Sequence, residues 1–248
     1  MSSNIWFRQI SSVLVLLLAW QMSSWIVNNA MIWPDVTSVV IKLGELLQRV
    51  EFLQSIFASL YTALIGFIIV VAVSIPLILL THRTVFARQI LITLSDLIGP
   101  TPTLSWLPVF LIFFGFTKIT LYLLICWGVI WLMLQNLYAL LDTSRQHWDA
   151  QIQNLRFTQY QAWIYVYIPS MWAGFISTGK LYFMQIWRVL FSIEIVFGAI
   201  GGHQGLATSM YEFKGKFDHV EVFACLLLIM ILGVLIGEVF NIIKRIFQ

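Results

Sequence analysis

The chain has 248 residues, of which 60% are hydrophobic and only 10% charged, with a mean hydropathy of +0.90. Soluble domains carry about 25% charged residues, so this composition excludes a water-soluble globular fold and points to a polytopic membrane protein. A net charge of +3 is too small to argue for nucleic acid, and Cys126 and Cys225 lie in apolar runs, where they read as small buried hydrophobes rather than a disulfide or metal pair.

A bilayer core about 30 Å thick needs roughly 20 apolar residues in a helix. No Asp, Glu, Lys or Arg falls between Arg8 and Asp35, which places a first span at about Ser11 to Met31. "SSVLVLLLAW" has the apolarity of a secretory h-region, but no small-x-small site follows, so it counts as membrane span. Residues 34–51, with "VVIKLGELLQRV", show a helical apolar period and predict a short amphipathic surface helix. A second span runs from about Leu53 to Leu80, with Pro76 near its end.

After the polar turn "THRTVFARQ" comes a third span, Ile90 to Phe116, interrupted by "GPTPTLSWLP". Ile119 to Leu141 is a fourth span without a charge. Asp142 to Ile168 is the longest polar region and predicts a loop with one or two short helices. Ser170 to Ile200 is a fifth span, "GGHQGLATSMYEFKGKFDH" a loop, and Val220 to Ile243 a sixth span. The fold class is all-α. Arg8, Arg83, Arg88, Arg145, Arg156, Lys244 and Arg245 fall on one side, and Lys42, Arg49, Lys118, Lys214 and Lys216 on the other. That bias predicts both termini in the cytoplasm, with the 142–168 loop on the same side.

Three of the six prolines crowd into Gly99–Pro108. Proline donates no backbone hydrogen bond and frees the carbonyl four residues earlier. Irregular backbone at membrane depth survives only against protein or a water-filled cavity. The stretch is therefore expected inside the bundle or near the water boundary, with Thr101 and Thr103 satisfying freed groups. It is either a plain kink or a bend that shapes a path.

Charges inside the fifth span are costly against lipid, at about 2.5–3.5 kcal/mol each near a helix centre. At 100° per residue, Ser177, Lys180, Gln185, Arg188, Ser192 and Glu194 occupy one half of that helix. Lys180, Trp187 and Glu194 follow one edge of it at seven-residue steps. These residues either line a polar path, where two basic groups would attract an anion, or serve structural pairing, with Lys180 snorkelling to the boundary. Glu238 and Arg245 read as an ion pair. His82, His147, His203 and His219 are scattered, and no catalytic motif or phosphate-binding G-x-x-x-x-G-K-[ST] occurs, so the chain is expected to be no enzyme.

From about Trp33 to the C-terminus the chain resembles the permease subunits of bacterial type I ABC importers, in particular the sulfonate, taurine, nitrate and bicarbonate group. Four stretches carry the resemblance: "WPDVTSVV"; "SLYTALIGFIIVVAVSIPLILL" with Gly66 and Pro76; "GPTPTLSWLPVFLIFFGFTKI" with Pro100, Pro102, Trp106 and Pro108; and "STGKLYFMQIWRVLFSIEIVFGAIGGHQGL" with Trp187 and Glu194. The proline-rich match is the most specific.

The resemblance implies a coupling loop after the fourth span that docks onto an ATPase subunit. The family has Glu-Ala-Ala, three residues and then Gly, with Pro about thirteen residues later. The corresponding stretch is "AQIQNLRFTQYQAWIYVYIP", with Leu155 and Pro169 in place. Ala150 then stands for the Glu and Arg156 for the Gly. Asp149 supplies the acid only if the register slips by one, and Phe157 follows in the same coupling loop. Arg lacks the freedom of Gly if that turn needs a positive φ. The departure is either drift in a loop that still docks or the mark of a divergent subunit.

The resemblance also implies domains at 1–52 (first span and external helix) and 53–248 (permease core of five spans). The implied function is a translocation path for a small anionic solute. Its partners would be an ABC ATPase carrying the ATP, a second permease chain (identical or different), an external substrate-binding protein and the lipid bilayer. The chain itself would bind no cofactor and would sit in a bacterial inner membrane. The alternative is a transport-inactive, permease-like structural half of a heterodimeric membrane complex.

Overall fold

The computed structural model describes residues 3–81, 84–199 and 204–246, with side chains for 11–81, 84–198 and 204–246. The described elements are all helical: α1 (Ser3–Val27), α2 (Val36–Leu46), α3 (Val50–Thr81), α4 (Val85–Ile98), a 3₁₀ turn (Thr103–Trp106), α5 (Leu107–Phe114), α6 (Lys118–Asn154), α7 (Gln159–Ala162), a π turn (Trp163–Tyr167), α8 (Ile168–Ala199), α9 (Leu206–Gly215) and α10 (His219–Ile246). The expected end of the fifth span at Ile200 lies outside the described residues, as do His82, Arg83 and His203.

Among the described residues, four stretches are long and apolar enough to cross a bilayer: Val50–Thr81, Lys118–Asn154, Gln159–Gly198 and His219–Ile246. The chain is thus a multi-pass membrane protein. A fifth crossing results if α4 and the Thr103–Phe114 segment, bent by 101°, count as one. The sequence reading of six spans included Ser11 to Met31. That apolar helix stops at Val27, where Asn28 turns to a φ of 46° while its N–H still reaches the Ser24 carbonyl at 2.9 Å. Seventeen residues at 1.5 Å each span only about 25 Å.

The chain divides into two compact units. The first comprises Met1–Ser59 and Glu194–Leu232. Here α2 buries Val39, Leu43 and Leu46, the i, i+4, i+7 face that its sequence periodicity predicts. Asp35 caps it, accepting from the Ser38 N–H at 3.0 Å and the Ser38 hydroxyl at 2.7 Å; the hydroxyl bond foremost holds its carboxyl below the usual value. Lys42 (3.4 Å) and Arg49 (3.1 Å) both reach the buried Glu221 of α10. Burial pulls the Lys42 ammonium down, yet Glu221 and Glu45 together raise it above its ordinary value. Trp20, Trp33 and Phe223 pack edge to face and tilted, with centroids 5.4–6.3 Å apart.

The second unit comprises Leu60–Ile193 and Gly233–Gln248, and α6 is its spine. Leu121, Leu124, Ile125, Met133, Leu134 and Leu141 are all within 1% of complete burial and lie around the whole circumference of that helix. Gly66 of α3 packs so closely that a Cβ would stand 2.8 Å from Ile125. Phe67, Phe183 and Phe240 join α3, α8 and α10 in one aromatic group.

Two loops of the sequence reading prove to be helical. The region after Leu141 continues as α6 for another 13 residues to Asn154; it holds no Gly or Pro, and Arg145, Gln146, Ala150, Gln151 and Gln153 are good helix formers. Then Arg156 enters the left-handed region at φ 52°, its N–H bonding the Gln153 carbonyl while the Phe157 N–H reaches back to Ile152. This is a Schellman ending with Arg at the position Gly usually fills. Thr158 and Gln161 form a capping box that starts α7. Pro169, unable to donate to the Tyr165 carbonyl, follows a π-helical turn at Trp163–Tyr167 in which the Ile168 N–H bonds Trp163. The second is the stretch after Gly202, where α9 forms in the first unit.

Candidate functional site

The backbone break between α4 and α5 shows how three prolines are accommodated. Pro102 would have supplied the fourth-residue donor to the Ile98 carbonyl. Thr101 replaces it twice, through its N–H at 2.9 Å and its hydroxyl at 2.6 Å. The Thr101 oxygen in turn accepts from the Trp106 indole at 2.8 Å. Pro102 then caps the 3₁₀ turn, and Pro108 sits in the first turn of α5, where its missing N–H costs nothing. Pro100 stands in the turn itself, exposed. Trp106 packs on Trp127 at 5.0 Å, and Thr103 fills the space left by Gly128, where a Cβ would overlap its hydroxyl.

Against this break lies a cleft of about 240 Å³, walled by Pro102, Thr103 and Leu104 on one side and Gln185, Arg188, Val189 and Ser192 of α8 on the other. Arg188 is exposed. Its Nε donates to the Met184 carbonyl at 3.4 Å, and no carboxylate pairs with it among the described residues. Ser192 donates to the Arg188 carbonyl at 3.1 Å. A guanidinium with free donors, an amide and two hydroxyls thus line one cleft.

The cleft gathers Gln185, Arg188 and Ser192 of the polar face expected on α8, together with Pro102. Lys180 instead turns to α10: its Nζ reaches Asn241 at 3.5 Å, and Asn241 donates to Glu238 at 3.1 Å in place of the expected Arg245 partner. Trp187 is buried edge-on against Phe191, 4.6 Å away, beside Gly233.

Glu194 belongs to the first unit and is fully buried. Its carboxylate accepts from the Ser59 hydroxyl at 2.7 and 2.9 Å and from the Ala207 N–H at 3.1 Å, while the Leu206 N–H donates to Ser59 at 2.8 Å. Gly205 has no room for a Cβ, which would overlap the carboxyl. Glu194 and Ser59 therefore cap α9 across a long sequence separation. No local signal announces a cap supplied from so far away, which is why α9 reads as loop from sequence.

The hairpin from α6 to α8 forms a second polar groove, of about 210 Å³, lined by Arg145, Asp149, Gln153, Phe157, Gln159 and Tyr167 among others. Tyr167 donates to Asp149 at 2.7 Å and lies beneath the Arg145 guanidinium, 6.0 Å from ring centre to Cζ. Ala150 is exposed, and Leu155 and Tyr160 project with 64% and 74% of their surface free. Asp149 is thus the acid engaged by the hairpin. Tyr167 and Ser59 are partners that the sequence reading did not single out; Thr103, expected beside Thr101 to satisfy a freed group, packs against Gly128. Gly128 inside a charge-free span, a position that a side chain would otherwise fill, is the one sequence hint to a close approach there. No group of three His, Cys, Asp or Glu comes together among the described residues as a metal site.

No family model matches the chain. It is 28% identical over 134 residues to a protein of Methanocaldococcus jannaschii assigned as an ABC transporter permease, covering 52% of this chain and 49% of that protein. The chain thus spans about half the length of that relative. Among solved structures, it shares the fold of a chain from the MetNI methionine ABC transporter in inward-facing conformations, with a TM-score of 0.58 and 18% identity over 79% of this chain and 95% of that one. The sequence match is homology to an ABC transporter permease, and the apolar helices accord with transmembrane transport.

Proposed function

We propose that the chain is a transmembrane permease subunit of an ABC importer, and that the cleft between the broken helix and α8 is part of its translocation path. The observation that carries this reading is Arg188, a cation with free donors in the middle of an apolar helix, facing a backbone break lined by hydroxyls. Such a site suits a small anionic solute of the sulfonate, nitrate or bicarbonate kind. Polar groups of this sort are retained at membrane depth where they touch solute or water.

In this reading α4 and α5 form one proline-broken crossing, α1 a further span, and 53–248 the permease core. The hairpin at Asp149–Phe157 and Tyr160 lies in the cytoplasm with both termini and meets an ATPase subunit. That partner binds and hydrolyses ATP; the chain itself holds no cofactor and catalyses no reaction. A second permease chain completes the path, an external binding protein delivers the solute, and ATPase closure drives alternating access through the hairpin. The membrane is a bacterial inner membrane.

A second reading has one observation in its favour. Arg156 occupies a left-handed backbone position, so the docking turn is strained relative to one with Gly. A divergent, transport-inactive half of a heterodimer would tolerate that.

The test is a mild-detergent pull-down of the tagged chain from its own membranes, with partners identified by mass spectrometry. Recovery of an ATPase with one permease species supports the importer. A second, different permease chain supports the heterodimer. Absence of an ATPase, under conditions that keep a known importer intact, overturns both.

A further inference from the structure

In the second unit, α3, α6 and α8 border a half-open cavity of about 130 Å³ whose walls are hydrocarbon and aromatic carbon. Its buried lining includes Ile78, Leu137 and Met171; its open side is Ile75, Leu79, Ile168 and Trp172, exposed by 37–47%. Trp172 stacks on Phe175 at 5.9 Å and 22°, which gives one wall a flat aromatic face. Apolar cavities on the order of 150 Å³ stay dry and take up small hydrocarbons, so water is not the occupant this lining suits.

The depth of the cavity narrows the choice. Ile78 lies three residues before the end of α3 at Thr81, about 5 Å along the axis. The next level along the same helices is polar: Thr81 pairs with Tyr138, and Arg88 lies over the Tyr138 ring at 5.2 Å and pairs with Asp142. The cavity therefore sits where hydrocarbon meets headgroups, the zone in which Trp is enriched. Its mouth is continuous with the apolar face of the spans, where the neighbouring Leu80 is 73% exposed. The bilayer supplies, at this depth, an apolar chain tethered to a polar head.

We propose that this cavity holds the upper acyl segment of a membrane phospholipid, seated between α3 and α8 as a bound lipid rather than as passing annular lipid. The inference needs only that the chain spans a membrane and is independent of what it transports.

The protein, purified with its partners and reconstituted into phosphatidylcholine vesicles, is photolysed with a trace of phosphatidylcholine carrying a diazirine on the upper acyl chain. Labelled peptides are mapped by mass spectrometry. The reference surface is the exposed α10 face at Val234, Leu235 and Val239. Labelling at Met171–Phe175 is expected to exceed that reference several-fold, and to fall to it in Leu79→Trp, which plugs the mouth. Leu79→Ala, which widens it, retains the excess. Labelling no greater than on α10 in the unaltered protein overturns the proposal without recourse to any variant. So does an excess that Leu79→Trp leaves unchanged, or protection of the mouth by cross-linking to another protein chain.

Discussion

Two charged residues of α8, six positions apart, live under opposite rules. Glu194, in the first unit, is wholly buried and accepts from the Ser59 hydroxyl and the Ala207 amide of α9. Arg188, in the second unit, is exposed at a cleft and, among the described residues, offers its guanidinium to no carboxylate. Both would be expensive against lipid. Glu194 meets that cost with fixed backbone and hydroxyl donors, so its charge is consumed in holding a helix end. Arg188 leaves the cost open, to be met by water or a solute. Sequence alone groups the two as one polar face; their partners separate a charge held in a helix cap from one left open to a cleft.

The sharpest way to break this contrast is to remove the carboxylate. Glu194→Ala leaves the Ser59 hydroxyl and the Ala207 N–H buried without their acceptor, at about 1–3 kcal/mol for each orphaned group. The variant is expected to lose about 3 kcal/mol or more, read as a fall in the detergent unfolding midpoint, with increased hydrogen exchange at Leu206–Ala207. Glu194→Gln keeps one acceptor and should lose clearly less. Unchanged stability in Glu194→Ala would mean that α9 is anchored by something else.

The complementary change is Arg188→Ala. A surface-exposed side chain with one weak bond to its own helix contributes within about 0.5 kcal/mol to folding. Assembly and unfolding midpoint should therefore stay put while uptake is lost. Arg188→Lys tests geometry, since Lys keeps the charge but not the planar fork of donors. Normal uptake by Arg188→Ala would take the residue out of the path and make the cleft a packing defect.

How much of this was legible before the structure follows the range of the interactions involved. The α2 face, Val39, Leu43 and Leu46, was readable because periodicity is local. So was the break at Pro100 and Pro102, and Thr101 as the group that repairs it, because both rest on the covalent chemistry of proline. The unbroken run of α6 past Leu141 is not legible because the polarity of 142–168 reads as a loop with one or two short helices, although residues such as Gln151 and Gln153 are good helix formers. Placing Lys180, Trp187 and Glu194 together on one edge followed from helix geometry. The fates of Lys180 and Glu194 depend on Asn241 and Ser59, which no spacing rule connects to them, whereas Trp187 meets Phe191 at i+4 on its own helix.

The smallest expected effect concerns a charge whose cost lies in the backbone. Arg156 holds φ at 52° in the Schellman turn, and its side chain is exposed. A left-handed L-residue costs about 1–2 kcal/mol, while Gly gives back about 0.5–1 kcal/mol through the entropy of the unfolded chain. Arg156→Gly should therefore stabilise the protein by a net of about 0.5–1 kcal/mol, visible as a small rise in unfolding midpoint. Arg156→Lys, which keeps both charge and strain, should change nothing, and Arg156→Asn should fall between. If Arg156→Lys alone destabilises, the guanidinium is making a contact that the turn geometry does not require. If Arg156→Gly stabilises the turn yet weakens recovery of the ATPase, the arginine is retained for its side chain at the docking surface, and the strain is the cost of that contact. Stabilisation with unchanged recovery points the other way, to drift at a position that glycine would serve better.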